Sequence, residues 1–185
     1  VDGTINSTIT IAVNDGSSDN NFDPVADQTV SATTTDNDVA GFTIAQSGGS
    51  TSVSESGSTD TFTVVLNAQP ASDVVLSISS SDTGEATVNS PLTFTNANWN
   101  TPQTVTVTGA DDNLVDGTIA STVTLTIVDS ITDNNFDGVA DQTVSASTTD
   151  NDTAGFTITQ SGGSTGVAET GTTDTFTIVL NAQPD

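Results

Sequence analysis

The chain contains no lysine, arginine or histidine, so its 24 acidic side chains meet no cationic side chain, and the formal charge is −24 over 185 residues. Two bare carboxylates about 4 Å apart repel by roughly 1 kcal/mol in water and about 4 kcal/mol at an effective dielectric of 20, so clustered acids here need a counterion from outside. Nucleic acid and anionic membrane are poor partners for such a chain. Cysteine is also absent, which excludes disulfides and thiolate metal sites and suits a bacterial surface protein better than a small animal secreted domain. Without His or Cys there is no catalytic triad, and without Lys there is no Schiff base, phosphate cradle or Lys-to-Asn isopeptide bond. Paired carboxylates hydrolyse glycosides in a cleft lined with substrate-gripping aromatics, whereas this chain has one Trp and no Tyr. It therefore reads as non-enzymatic. No long apolar run, signal peptide or lipidation motif is present, so the segment is not expected to insert in a bilayer, and any export signal is expected to lie outside it.

What is abundant is Thr, Ser and Val, a composition that favours strands. Asp and Gly clusters at intervals of about ten residues supply turns, which points to an all-β sandwich or barrel rather than a disordered acidic tail. The chain also repeats itself. Val1-Asp2-Gly3-Thr4-Ile5 returns as Val115-Asp116-Gly117-Thr118-Ile119, an offset of 114 residues, and residues 1–71 align without gaps on 115–185. Roughly three-quarters of the aligned positions are identical, as in a tandem array. A period near 114 residues fits one β-sandwich of about 100 residues per repeat and is too long for a solenoid. With the acidic triplets Asp36-Asn37-Asp38 and Asp150-Asn151-Asp152 as boundaries, residues 39–152 form one complete unit. Residues 1–38 are then the C-terminal part of a preceding repeat, and 153–185 the N-terminal part of a following one.

Within the complete unit, Phe42-Thr43-Ile44 alternates, breaks at Ser47-Gly48-Gly49-Ser50 and resumes at Val53, a first strand interrupted by a glycine bulge or kink. Further alternating runs lie at Thr61–Leu66, Val74–Ile78, Gln103–Thr108, Ser121–Val128 and Gln142–Thr149, with short strands around Ala86–Val88 and Leu92–Phe94. The expectation is an immunoglobulin-like antiparallel β-sandwich of about seven strands. Antiparallel order places the Glu55 turn, the Asp82 loop, the Asp111 loop and the terminal triplet at one end, and the Gln69 turn and Asp133 loop at the other. Trp99 reads as a plug of the core or its rim, with carbohydrate stacking as the alternative.

The runs Val53-Ser54-Glu55-Ser56-Gly57, Leu92–Phe94 to Val105–Val107, Asp111-Asp112-Asn113-Leu114-Val115-Asp116-Gly117 and Asp150-Asn151-Asp152-Thr153-Ala154-Gly155 together resemble a Calx-β domain. The resemblance covers the whole unit. It implies a sandwich whose acidic loops at one end bind calcium, strung in tandem in large bacterial surface proteins and adhesins. It also implies that Glu55, Asp111, Asp112, Asp116, Asp150 and Asp152 are ligands. In the third loop, where the family has an acidic ligand, only Asp82 or Glu85 stands near the place. The repeat puts counterparts at Asp36, Asp38 and Glu169. Independently of the family, Ca²⁺ takes about six to eight hard oxygen ligands at roughly 2.3–2.6 Å, which adjacent loop carboxylates can supply.

A second candidate is Asp133-Asn134-Asn135-Phe136-Asp137-Gly138-Val139-Ala140-Asp141. Asp133, Asn135, Asp137 and Asp141 occupy the spacing of the first part of an EF-hand-type loop, without its helices or its final Glu. The alternative for this run is a turn-rich insertion.

The function expected from these features is a calcium-binding structural repeat of an extracellular adhesin stalk or surface filament, with neighbouring repeats as partners and calcium stiffening the joints. A module binding glycan or protein, and a subunit joined into a homopolymer by strand exchange, are the alternatives.

Overall fold

The computed structural model describes residues 1–184. Among them the chain forms thirteen strands and three short 3-10 turns, and no helix is long and apolar enough to cross a membrane. Alternating Val, Ile and Thr favour the extended backbone and send successive side chains to opposite faces. β1 (Ile5–Ile11) and β2 (Gln28–Thr34) pair as an antiparallel hairpin. They are followed by β3 (Phe42–Gln46), β4 (Thr51–Ser54), β5 (Thr59–Leu66), β6 (Val74–Ser80), β7 (Ala86–Val88), β8 (Leu92–Phe94), β9 (Gln103–Gly109), β10 (Thr118–Ile127) and β11 (Gln142–Thr149). These nine make two sheets, in the orders β4-β11-β10-β6-β8 and β3-β5-β9-β7. β12 (Phe156–Gln160) and β13 (Phe176–Leu180) form a last hairpin.

The protein is thus an all-β sandwich. Its single core joins Phe62, Val64 and Leu66 of β5 and Val105 and Val107 of β9 to Leu76 and Ile78 of β6 and Val123, Leu125 and Ile127 of β10. The period-two pattern along each strand decides which residues are inside. Two details differ from the sequence expectation. There are nine strand segments in the sandwich rather than about seven, because the interrupted first strand divides between the two sheets and the short β7 and β8 each pair as strands of their own. Gly48 and Gly49, at φ +63° and +82°, turn the chain through a conformation that L side chains rarely adopt. β3 therefore pairs antiparallel with β5 in one sheet, while β4 pairs parallel with β11 in the other. The sandwich consequently has one parallel edge.

Phe136 is the second difference. It lies in the Asp-rich run read as an EF-hand-type loop, yet it is fully buried among the core residues. A buried Phe contributes roughly 2–3 kcal/mol, so this loop closes the bottom of the sandwich. Trp99 packs partly buried against the same core, and its carbonyl accepts a hydrogen bond from Leu66 N at 3.1 Å.

Every core residue lies between Phe42 and Ala146. In the flanking hairpins the aligned positions are open: Ile9 is 52% exposed where its counterpart Val123 is 0% exposed. The described parts of the flanks contain no counterparts of β6–β9, and β5 is buried by strands of that kind in the central sandwich.

Candidate metal centre

Four loops converge at the end of the sandwich where β4, β9 and β11 finish. Glu55 follows β4 directly. Its N–H continues the parallel ladder to Thr149 O at 3.1 Å, and Gly57 N closes a turn onto Ser54 O at 3.1 Å. Glu55 is held inward, 1% exposed, with Asn151 N donating to its Oε2 at 3.1 Å. Gly109 permits this packing. A Cβ built there would stand 2.0 Å from Ser54 O, a distance no side chain tolerates, so only glycine lets β9 pass so close to the base of the Glu55 turn.

The third loop delivers Glu85. Asp82, the other acid of this loop, is exposed and uses Oδ1 to accept from Gly84 N at 3.0 Å. That turn presents Glu85 at the mouth of β7. Glu85 is 6% exposed, and its carbonyl accepts from Ala110 N at 2.8 Å and from the buried Thr148 hydroxyl at 3.2 Å. The distinguishing signal was residue type. Glu55 and Glu85 are the only glutamates between residues 39 and 152, and their longer side chains reach inward from the loops.

Carboxylate oxygens of Glu55, Glu85 and Asp116 lie within 4.8 Å of one another, and those of Glu55, Asp150 and Asp152 form a second such group. Oxygens bound to one Ca²⁺ at roughly 2.3–2.6 Å are separated by no more than about 5 Å, so each group fits an ion, with Glu55 common to both. The fit is sharpened by what the oxygens lack. Glu55 Oε1, Glu85 Oε2, Asp116 Oδ1 and Asp152 Oδ2 are buried without any hydrogen-bond partner. A buried, unpaired ionised oxygen costs several kcal/mol, and the chain has no cationic side chain to offset it.

The electrostatics follow. Burial pushes the Glu85 carboxyl up to about 7, with Asp116, Glu55, Asp82 and Asp112 adding repulsion. Burial likewise raises Glu55, where the bond from Asn151 opposes and Asp150, Asp112 and Asp116 add to the rise. Asp152 is raised by burial and then by Asp150, Asp111 and its neighbours. Asp150 moves the other way, lowered by N–H bonds from Gly117 (2.9 Å) and Asp152 (2.6 Å).

Asp111 and Asp112 sit beside these groups. Asp111 Oδ1 accepts from Asn151 Nδ2 at 2.8 Å, and Asp112 Oδ1 accepts from Leu114 N at 2.7 Å. Asp36 repeats the role of Asp150, taking N–H bonds from Asp2, Gly3 and Asp38. Asp38 and Glu169 are exposed.

The second candidate loop is not assembled around a common point among the described residues. Asp133 is 4% exposed, but Asp137 and Asp141 are on the surface. Asp133 Oδ2 accepts from Ala71 N (2.6 Å) and Ser72 N (3.1 Å), and Oδ1 from the backbone and side-chain N–H of Asn135, both at 3.0 Å. Four donors occupy the roughly four acceptor positions of a carboxylate. Burial pushes this carboxyl up, yet those bonds outweigh it and hold it below the ordinary range. Asp133 therefore ties two backbone segments together, and both of its carboxylate oxygens already have hydrogen-bond donors. Sequence reasoning also passed over Asp60, which accepts from Ser47 Oγ, Ser52 N and Thr61 N and pins the sheet-changing turn; Asp174 repeats it.

No family model and no curated protein matches the chain. Among solved structures, it is similar to SSP-19, an MSP-domain protein-like family member in Caenorhabditis elegans, at 17% identity over 55% of this chain and 92% of that one, with TM-score 0.35. It is also similar to domains 1–6 of the surface layer protein SbsC, at 19% identity over 86% of this chain, with TM-score 0.43, and spans 24% of that chain. For SbsC domains 4 and 5 the identity is 21% over 66% of this chain and 59% of that one, with TM-score 0.37. At these scores the likenesses do not bear on the metal centre, which rests on its own geometry.

Proposed function

We propose that the protein is a segment of a tandem array of Calx-β-like sandwiches, with residues 39–152 as one complete unit, in a large extracellular or cell-surface protein of bacterial type. Its role is structural and not catalytic. Glu55, Glu85, Asp116, Asp150 and Asp152 hold calcium at one end of the unit, with Asp111 and Asp112 shaping the rim.

The observation that carries this reading is that four of the five buried carboxylate oxygens without partners, those of Glu55, Glu85, Asp116 and Asp152, gather at this end, in a chain with no cationic side chain. Calcium, when bound, supplies the positive charge that lets these groups stay ionised and close. The joint follows from the connectivity. Asp150 and Asp152 end the unit, and Ala154-Gly155 hands the chain to β12 within a few residues. Drawing those two acids onto Glu55 fixes the angle at which the next sandwich leaves. Without the ion, mutual repulsion spreads the loops and frees the exit.

Small-angle scattering on three consecutive repeats, with calcium and then with excess chelator, tests this. The expected result is a longer maximum dimension and a higher melting temperature with calcium. Profiles and melting temperatures that do not differ between the two conditions contradict the reading.

A further inference from the structure

The end of the sandwich opposite the acids carries the turn Asn67-Ala68-Gln69-Pro70 and the loop around Asp133. Asp133 joins them by accepting from Ala71 N and Ser72 N, while Asn135 holds its other oxygen from within the loop, so turn and loop move as one piece. Against this piece lies the first residue of the chain. Val1 N donates to Gln69 O, and Asn135 Nδ2 donates to Val1 O at 3.1 Å. Both polar backbone atoms of Val1 are thereby held. The Asn135 amide faces a carboxylate oxygen and a carbonyl, both acceptors, so its two N–H bonds are both used.

The corresponding segment and turn meet again 114 residues later, in the interior of the chain, through a neighbouring pair of backbone groups. Val1 corresponds to Val115, and Gln69 to Gln183. Gln183 N donates to Asn113 O at 2.6 Å, and Leu114 pairs with Gln183 as an isolated parallel bridge. Val115 lines the cleft beside that bridge with Leu180, Gln183 and Pro184, as Val1 does with Gln69 and Pro70. At both places the segment that leads into the hairpin strand β1 or β10 meets the Asn-Ala-Gln-Pro turn of the next repeat, and its hydrogen bonds to that turn run from backbone to backbone.

We propose that the Asp133 end of each sandwich is a receptor for the Asn113-Leu114-Val115 segment of the preceding repeat: the Gln69 turn pairs with that segment's backbone, and Asn135, oriented by Asp133, clamps its carbonyl. The partner is another copy of the unit in the same chain. The latch rests on the tandem-array reading but not on calcium, since no metal-site oxygen takes part in it. Each joint then has two fastenings, one ionic through the exit acids and one built from amide groups. The run read from sequence as a second calcium loop serves the second fastening.

The whole cysteine-free chain suits spin labelling. Labels at Ser31→Cys and Ser77→Cys report the first joint, and labels at Ser77→Cys and Thr177→Cys the second, by double electron–electron resonance. Asn135→Ala is expected to widen the first distance distribution at least twofold, with the same widening in calcium and in EGTA, and to lower the melting of the sandwich far less than Asp133→Ala, since it removes one donor to Asp133 and leaves three. Gln183→Pro, which removes the donor to Asn113, is expected to widen the second distribution and leave the first unchanged. Unchanged widths in both variants overturn the proposal. So does widening confined to EGTA, which would make the ion the sole fastening. Loss of the calcium response in the parent chain, with the variant effects intact, would contradict the metal reading and leave the latch standing.

Discussion

The two ends of the sandwich both bury carboxylates, and they treat them in opposite ways. At one end Glu55 and Glu85 are packed against other acids, each with an oxygen that no donor reaches, and their carboxyls are raised. At the other end Asp133 is about as deeply buried, yet all its acceptor positions are filled by N–H groups and its carboxyl is lowered. Burial alone therefore does not mark a metal ligand. The discriminating quantity is whether the folded chain satisfies the buried oxygen itself, because an unsatisfied one needs an external cation and a satisfied one is a finished piece of architecture.

The comparison breaks most visibly at Asp133. Asp133→Ala strands the N–H groups of Ala71, Ser72 and Asn135 and is expected to destabilise the sandwich by roughly 3 kcal/mol or more. Chemical denaturation should show that loss equally with calcium and with chelator. A loss seen only with calcium would place Asp133 in a metal site.

Acid titration separates the ends next. Glu85 has a folded-state value of about 7 against an ordinary 4.5, so the folded chain binds the proton more tightly than the unfolded one. The stability it confers is full below pH 4.5 and lost as pH rises towards 7, by roughly 2–3 kcal/mol. Glu55 and Asp152 are raised and act in the same sense. Asp133 is lowered, so its contribution is present above the ordinary carboxylate range and disappears on acidification below it. The melting temperature of the metal-free chain is therefore expected to peak in mildly acidic solution and fall towards neutrality, while saturating calcium abolishes the neutral-side fall. A metal-free melting temperature that climbs steadily to pH 8 contradicts this assignment.

The smallest effect is expected at the surface acids of the Asp133 loop. Asp137→Asn combined with Asp141→Asn should leave calcium affinity and melting within error, as solvated groups do. A tenfold loss of affinity on calorimetry would restore the EF-hand-type reading of that run.

Much of this contrast was legible in the residues themselves. The alternation of Phe62, Val64 and Leu66 and of Val123, Leu125 and Ile127 fixes which face is buried, and the strand order brings Glu55, Asp116, Asp150 and Asp152 to one end. The transfer of β4 to the other sheet was not legible, because its parallel partner β11 lies about 95 residues away and leaves no local pattern. The inward placement of Glu85, with Asp82 left exposed, depends on a turn that Asp82 itself closes. The burial of Asp133 and Phe136 was not legible for a related reason: the spacing of an Asp-rich run records which oxygens are present and not which donors will reach them. Gly109 gave no sign of its close approach to Ser54.

The central claim is that the unpartnered acids are a calcium site, and the most direct measurement is the melting temperature of the 185-residue chain with calcium and with EGTA, beside the variant Glu55→Gln. Glu55 belongs to both ligand groups. The parent chain should melt several degrees higher with calcium, as for an ion that binds only the folded state. Glu55→Gln should melt at or above the parent in EGTA and gain little from calcium. A parent chain whose melting temperature ignores calcium, or a variant that responds as fully as the parent, would contradict the account.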